Sequence, residues 1–214
     1  ATRPTGGAEA RGASMDGSNH HTVGAVVLGA GTSSRFGDEN KLLAPVAGTP
    51  MIARVIRTAL RSSIDDGVVV LGHEAERVAE TLDEFPIATT TNEEYAAGQS
   101  TAVQRGIEFA ASTDWDAAVV LLGDMPFLAP DTVDRLVEAY RSGVGPIVAP
   151  RYDGQRGHPV VFDRSLFDRL LDVTGDRGGR ELVRDHPETV LLDIEDPGVR
   201  QDIDTTSDLT DGRP

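Results

Sequence analysis

The segment 23–43, VGAVVLGAGTSSRFGDENKLL, restricts the fold more than any other stretch of the chain. It begins with an apolar run over 23–28, short and β-branched enough to be a buried strand of a parallel sheet. The run breaks into Gly29-Ala30-Gly31-Thr32-Ser33-Ser34, where the glycines let backbone N–H groups approach an anion closely. Arg35 and Lys41 follow, spaced so that a folded-back loop brings both to one polyphosphate. Two familiar phosphate loops do not fit. A P-loop closes on Gly-Lys-Ser/Thr, which is absent. The dinucleotide fingerprint needs a third glycine where Ser34 stands.

Composition narrows the partners. The chain of 214 residues is long enough for one α/β domain with a sizeable core. It carries 35 Asp and Glu against 20 Lys and Arg, a net charge of −15, and Lys41 is its one lysine. Such a surface disfavours nucleic acid and anionic membranes. Abundant Asp with almost no lysine resembles proteins of a high-salt cytoplasm, where the Debye length of ~3 Å at 1 M removes most self-repulsion. With no cysteine there is neither a disulfide frame nor thiolate chemistry. No apolar run reaches the ~18 residues of a membrane span. Residues 1–21 read as a disordered, polar tail without a signal core, with Met15 a candidate start. The expectation is a cytoplasmic protein, monomeric or weakly oligomeric, with one domain over 22–210.

Along the chain, strands alternate with helices, the pattern of a mostly parallel sheet with right-handed crossovers. Thr49 and Pro50 read as the N-cap and first turn of a helix with Met51, Ile52, Val55, Ile56, Ala59 and Leu60 facing the core. Strands are expected at 67–71, 86–90, 116–122, 146–149, 156–162 and 189–192. Helices are expected around Val78 and Leu82, after Gly98-Gln99-Ser100 with Val103, Gly106, Ile107, Ala110 and Ala111 inward, and from Pro130 with Leu136 and Tyr140 inward. Further short helices are expected over 166–171 and up to Val183. Asp124 follows the clearest strand, so its carboxylate falls in the crevice where parallel sheets bind ligands.

The run Leu28-Gly29-Ala30-Gly31-Thr32-Ser33-Ser34-Arg35-Phe36-Gly37, with Asn40-Lys41 behind it, resembles the signature of the MobA-like nucleotidyltransferases. Gly123-Asp124-Met125-Pro126, Gly98-Gln99-Ser100 and Asp202-Ile203-Asp204-Thr205 resemble that family's later motifs, in the same order. The departures are Gly29 for alanine and Thr206 for proline. Arg156-Gly157-His158-Pro159, the Gly175–Arg180 loop read as 175–180, and Ala30 are similar to the molybdenum cofactor cytidylyltransferases within it.

The resemblance implies a single-domain, three-layer α/β/α, Rossmann-like (GT-A-like) nucleotidyltransferase fold. It implies transfer of CMP from CTP, or of GMP from GTP, to a phosphorylated pterin-type acceptor. Arg35, Lys41 and Asp124 would be catalytic. Leu28, Gly29, Ala30, Gly31, Thr32, Ser33, Gly98 and Ser100 would join them in binding the nucleotide. His158, Arg177 and Arg180 would face the acceptor, and Asp124 and Asp204 would hold Mg²⁺. A guanylyl or sugar-phosphate transferase and a non-catalytic nucleotide-binding module are the alternatives.

The charge balance makes one prediction independent of activity. The melting temperature should rise as KCl is raised from low concentration towards about 1 M, because screening relieves the self-repulsion. A melting temperature that ignores KCl would remove the high-salt reading.

Overall fold

The computed structural model describes residues 20–31, 36, 40–175 and 179–208. Its first strand, β1 (Val23–Gly29), is buried at every position, which accounts for its unbroken apolar sequence. A small hairpin, β2 (Pro45–Val46) with β3 (Thr49–Pro50), precedes α1 (Met51–Arg61). Then come β4 (Asp66–Leu71), α2 (Ala75–Leu82), β5 (Ala88–Thr91), α3 (Gln99–Ala111) and β6 (Ala117–Leu122). The C-terminal half holds α4 (Pro130–Arg141), β7 (Ile147–Tyr152), β8 (Gln155–Arg156), β9 (Val160–Asp163) and α5 (Phe167–Leu171). The short helix α6 (Arg180–Asp185) and β10 (Thr189–Asp193) close it.

The main sheet runs β10-β7-β9-β6-β1-β4-β5. β1 is parallel to both neighbours, with Val26 beside Val68 of β4 and Val120 of β6. β9 is reversed and lies antiparallel between β6 and β7. Its reversal starts at the Asp153-Gly154 turn, where both residues have positive φ, 48° and 73°, as a two-residue hairpin requires. β8 leaves that turn paired to β7 through Arg151 and Arg156.

Alternate residues of β1 feed two cores. Val23, Ala25 and Val27 pack with Ile52, Val55 and Ile56 of α1 and with Val133, Leu136 and Val137 of α4. Val26 and Leu28 pack with Val103, Ile107 and Ala110 of α3, in a cluster that also holds Phe167, Leu170 and Val183. The result is three layers, helix, sheet and helix, around a mostly parallel sheet. Among the described residues no helix is long and apolar enough to cross a membrane.

The structure departs from the sequence reading at several points. Thr49 does not cap α1; it pairs with Val46 in the hairpin, and Pro50 takes the cap position without a side-chain bond. The Met51 N–H is satisfied instead by the Ala44 carbonyl at 3.0 Å. Leu60 is 37% exposed, and Thr58 is the buried residue, donating its hydroxyl to the Leu128 carbonyl at 3.0 Å. Ala111 is exposed at the end of α3, where Ala102 is buried at its start. The edge strand expected at 86–90 lies at Ala88–Thr91. His21, read as tail, packs edge-on against Tyr140, and its carbonyl accepts from Arg141 at 3.1 Å.

The N-terminal end of α4 is secured by a residue far along the chain. Asp196 accepts from the Ala129 N–H at 3.0 Å, the Thr132 hydroxyl at 2.7 Å and the Gly198 N–H at 2.8 Å. Asp196→Ala should therefore lower unfolding stability by about 1–3 kcal/mol, the effect of leaving part-buried donors without their partner. Urea unfolding reads this directly, and an unchanged midpoint would show that water replaces the carboxylate.

Candidate active site

β1 and β6 lie side by side and both end at the same edge of the sheet, the crevice that such sheets use for ligands. Gly123 sits at that edge with its N–H on the Leu28 carbonyl at 2.9 Å. A Cβ there would lie 2.8 Å from that carbonyl, so only glycine lets the end of β6 close on β1. Asp124 is thereby placed beside Leu28, Ala30 and Gly31, with which it lines one cavity of about 280 Å³.

Lys41 reaches the same point from the other end of the loop. Buried Asn40 holds the turn that carries it, accepting from the Leu42 N–H at 3.1 Å and donating to the His73 carbonyl at 3.2 Å. The Lys41 ammonium donates to Asp124 Oδ2 at 2.7 Å, to Asp204 Oδ1 at 3.2 Å and to the Ile203 carbonyl at 3.3 Å. The two carboxylate oxygens are thus no farther apart than these two bonds laid end to end. Asp204 is held there by its neighbours. The Ile203 N–H bonds the Asp124 carbonyl at 3.0 Å, and Asp208 accepts from the N–H groups of Asp204 and Thr205 at 3.0 and 2.7 Å.

Burial alone would lower the pKa of Lys41, but the charge and hydrogen bond of Asp124, then of Asp204, raise it above its ordinary value. The ammonium is therefore charged at neutral pH. Asp202 is pushed up, first by burial and then by the charges of Asp124 and Asp204. Asp124 Oδ1 is buried and has no hydrogen-bond partner among the described residues. Among the described residues no group of three or more His, Asp or Glu forms a ready metal cage. A hard cation bound through two carboxylates and substrate phosphates needs no such cage.

Asp124 also lines a second cavity, of about 540 Å³, together with Asp202, Asp204, Arg156, His158 and Arg180. Leu28, Gln99 and Leu122 belong to both cavities. Two chambers therefore meet at Asp124. The smaller is completed by Tyr95, Ala96, Gly98 and Gln99 at the start of α3, where Gly98 has a φ of 115° that side chains avoid. His158 is neutral at pH 7, because burial and then Arg156 and Arg180 hold its pKa at about 4.

Of the residues singled out from sequence, Leu28, Ala30, Gly31, Lys41, Gly98 and Asp124 line the smaller cavity. His158, Arg180 and Asp204 line the larger. Gly29 is buried at the end of β1, and Ser100 is buried in the first turn of α3; neither lines either of these two cavities. Thr32, Ser33, Arg35 and Arg177 lie outside the described residues. Sequence reasoning did not single out Asn40, Gln99, Arg156 or Asp202 as site residues. All four stand inside quoted motifs, so position within the motif was the available signal.

Residues 25–190 match the MobA-like NTP transferase domain. The chain belongs to that family. This places it among the nucleotidyltransferases. A protein of Paenarthrobacter nicotinovorans named nicotine blue oxidoreductase is 31% identical over 195 residues, 87% of this chain and 94% of its own. The bifunctional protein GlmU of Clostridioides difficile is 36% identical over 152 residues. That alignment covers 70% of this chain but only 31% of the longer protein. The crystal structure of Rv0371c from Mycobacterium tuberculosis H37Rv in complex with manganese superposes with a TM-score of 0.73 at 25% identity. It covers 89% of this chain and 97% of its own.

The Lys41 contacts make a chemical prediction. Acylation needs the neutral amine, so Lys41 should react slowly with an amine-selective reagent at pH 8. Asp124→Asn should accelerate the labelling several-fold, because it removes the larger of the two anionic partners. Mass spectrometry of the Lys41 peptide measures both rates, and equal rates would show that the ion pair does not persist in solution.

Proposed function

We propose that the protein is a Mg²⁺-dependent cytidylyltransferase that moves CMP from CTP to a phosphorylated acceptor, of pterin type, and releases pyrophosphate. The observation that carries this reading is the position of Asp124 between two cavities, one carboxylate oxygen on Lys41 and the other buried without a partner. A donor in the smaller cavity and an acceptor in the larger would meet there. The acceptor's phosphate oxygen bonds to the α-phosphorus, the bond from that phosphorus to its bridging oxygen breaks, and pyrophosphate leaves with the electron pair. No general base is needed, since a phosphate monoester has its second pKa near ~6 and is ionised at neutral pH.

Both reactants are anions, so the chain's task is to gather positive charge and align the groups. Backbone N–H groups over 29–33 would cradle the phosphates, with Arg35 gripping oxygens bidentately and Lys41 acting as a compact charge. Asp124 and Asp204 would hold the Mg²⁺, and the unpartnered oxygen of Asp124 fits a hard cation that takes oxygen ligands. When bound, the ion supplies Lewis-acid charge to the phosphate oxygens. Ala30, the Arg156-Gly157-His158-Pro159 run and the 175–180 loop support CTP and the pterin acceptor over GTP. His158, Arg177 and Arg180 would face that acceptor.

A screen of CTP, GTP, ATP and UTP for Mg²⁺-dependent binding and pyrophosphate release tests this. CTP should bind most tightly, and tighter GTP binding would move the protein to the guanylyl branch. Asp124→Asn should lower turnover by roughly 10²-fold or more while the melting temperature holds. Near-normal pyrophosphate release by that variant would make Asp124 a turn residue and end the metal assignment. One observation favours a second reading, a redox reaction on the same fold: the relative named nicotine blue oxidoreductase aligns over 94% of its length. Absence of pyrophosphate release with all four nucleotides, and a redox reaction with nicotine blue, would decide for it.

A further inference from the structure

The larger cavity contains a group of residues that nucleotidyl transfer at Asp124 does not itself call for. Arg156, His158 and Arg180 come from β8, from the link into β9 and from the start of α6, and all three line it. Among the described residues neither arginine has a carboxylate within ion-pairing distance. The recorded bond of Arg156 runs from Nη1 to the Arg180 carbonyl at 3.3 Å. The neighbouring arginines differ. Arg184 grips Asp185 at 2.7 and 2.8 Å, and Arg151 grips Asp193 at 2.7 and 2.8 Å.

A chain with 35 acidic residues and a net charge of −15 has carboxylates to spare for such pairs. Two guanidinium groups set close together without one are repulsive until an anion joins them. His158 points the same way. Its Nδ1 is buried and has no hydrogen-bond partner, one of two such side-chain atoms among the described residues. The other is Asp124 Oδ1, and both residues line this cavity. Two buried polar atoms left open on one cavity mark where a ligand supplies their partners.

The charges sort into two sets. Those acting on His158 are Arg156 and Arg180. Those acting on Asp202 are Asp124, Asp204 and Lys41. The cavity thus has a basic end and an end that holds the reacting groups, and Val103, Val160, Phe162 and Val183 give its walls apolar surface. We infer that Arg156, Arg180 and His158 form an oxyanion pocket that holds an anionic group of the acceptor distinct from the phosphate that attacks. The acceptor is then an oxyanion, a phosphate or a carboxylate, joined through an apolar body to its nucleophilic phosphate. Arg156 and Arg180 grip the anion, and neutral His158 exchanges one hydrogen bond with it or with the atom beside it. That the ligand is the acceptor rests on the transferase reading; the anion pocket does not.

Inorganic phosphate is the probe, titrated into the full chain without nucleotide or metal at constant KCl and followed by phosphorus NMR line width. Saturable binding should appear. Arg156→Ala and Arg180→Ala should each weaken it about tenfold, the effect of losing a charged hydrogen bond. Arg156→Lys should recover part of the loss, and Lys41→Gln should change it little. Displacement of phosphate by acetate would assign the pocket to a carboxylate, and failure to displace would assign it to a phosphate. No saturable binding, unchanged affinity in both alanine variants, or loss confined to Lys41→Gln would each overturn the pocket. Mg²⁺–CTP binding to the same unmodified chain reads the donor site separately. Its absence beside arginine-dependent phosphate binding would sink the transferase reading and leave the pocket standing.

Discussion

The site depends on one ammonium group held between two carboxylates. Lys41, Asp124 and Asp204 come from three distant parts of the sequence, and the bonds of 2.7 and 3.2 Å draw them to one point. Like charges repel, and the ammonium sets a positive charge against both carboxylates at once. Its burial costs desolvation, and the two partners more than offset that cost, because the pKa of Lys41 ends above its ordinary value. The two carboxylates are thereby drawn to one point beside the ends of β1 and β6.

The reversed strand β9 determines what else reaches that point. A strand parallel to β6 would have to begin at the far edge of the sheet and would need a crossover helix before it. By running antiparallel, with Val160 beside Val120, β9 begins at the edge where β6 ends. His158 immediately precedes β9, and Arg156 lies at the end of the hairpin strand before it. The chain that enters β9 therefore passes over the crevice. The tight Asp153-Gly154 turn makes this possible within few residues. One change of strand direction thus builds the second chamber against the first.

Much of this was legible in the sequence, for identifiable reasons. Strands buried on both faces leave unbroken apolar runs, as at β1 and β6, and the residues that end those runs are the site. The order of the glycine loop, Asp124 and Asp204 was legible because each lies in a short motif. What escaped notice is tertiary. Thr49 and Pro50 carry a strong helix-start signal, yet the Ala44 carbonyl satisfies the Met51 N–H and leaves Thr49 free to pair with Val46. Leu60 follows Ala59 on the helix, one position beyond the stripe centred on Ile52, Val55 and Ile56, and so turns outward. Asp196 secures the start of α4 from 67 residues away, which no local pattern reports. Arg156 could be seen in its motif, but that no described carboxylate pairs with it is a property of the packed surface.

The solitary lysine follows from the same geometry. The chain carries 19 arginines and one lysine, Lys41, and the surroundings of its nitrogen distinguish the two side chains. Among the described residues three oxygens approach the nitrogen at 2.7, 3.2 and 3.3 Å, contributed by Asp124, Asp204 and the Ile203 carbonyl. They converge on one atom from different residues. An ammonium presents three donors from a single nitrogen and rotates to suit them, whereas a guanidinium spreads its donors over a planar fork. The fork matches two oxygens of one carboxylate, as Arg151 does with Asp193. It does not match two separate carboxylates and a carbonyl around a point. Arginine also demands more room, and the side chain of Lys41 is only 12% exposed between the ends of β1 and β6. The requirement at this position is therefore a point charge with convergent donors, and lysine alone among the side chains provides it.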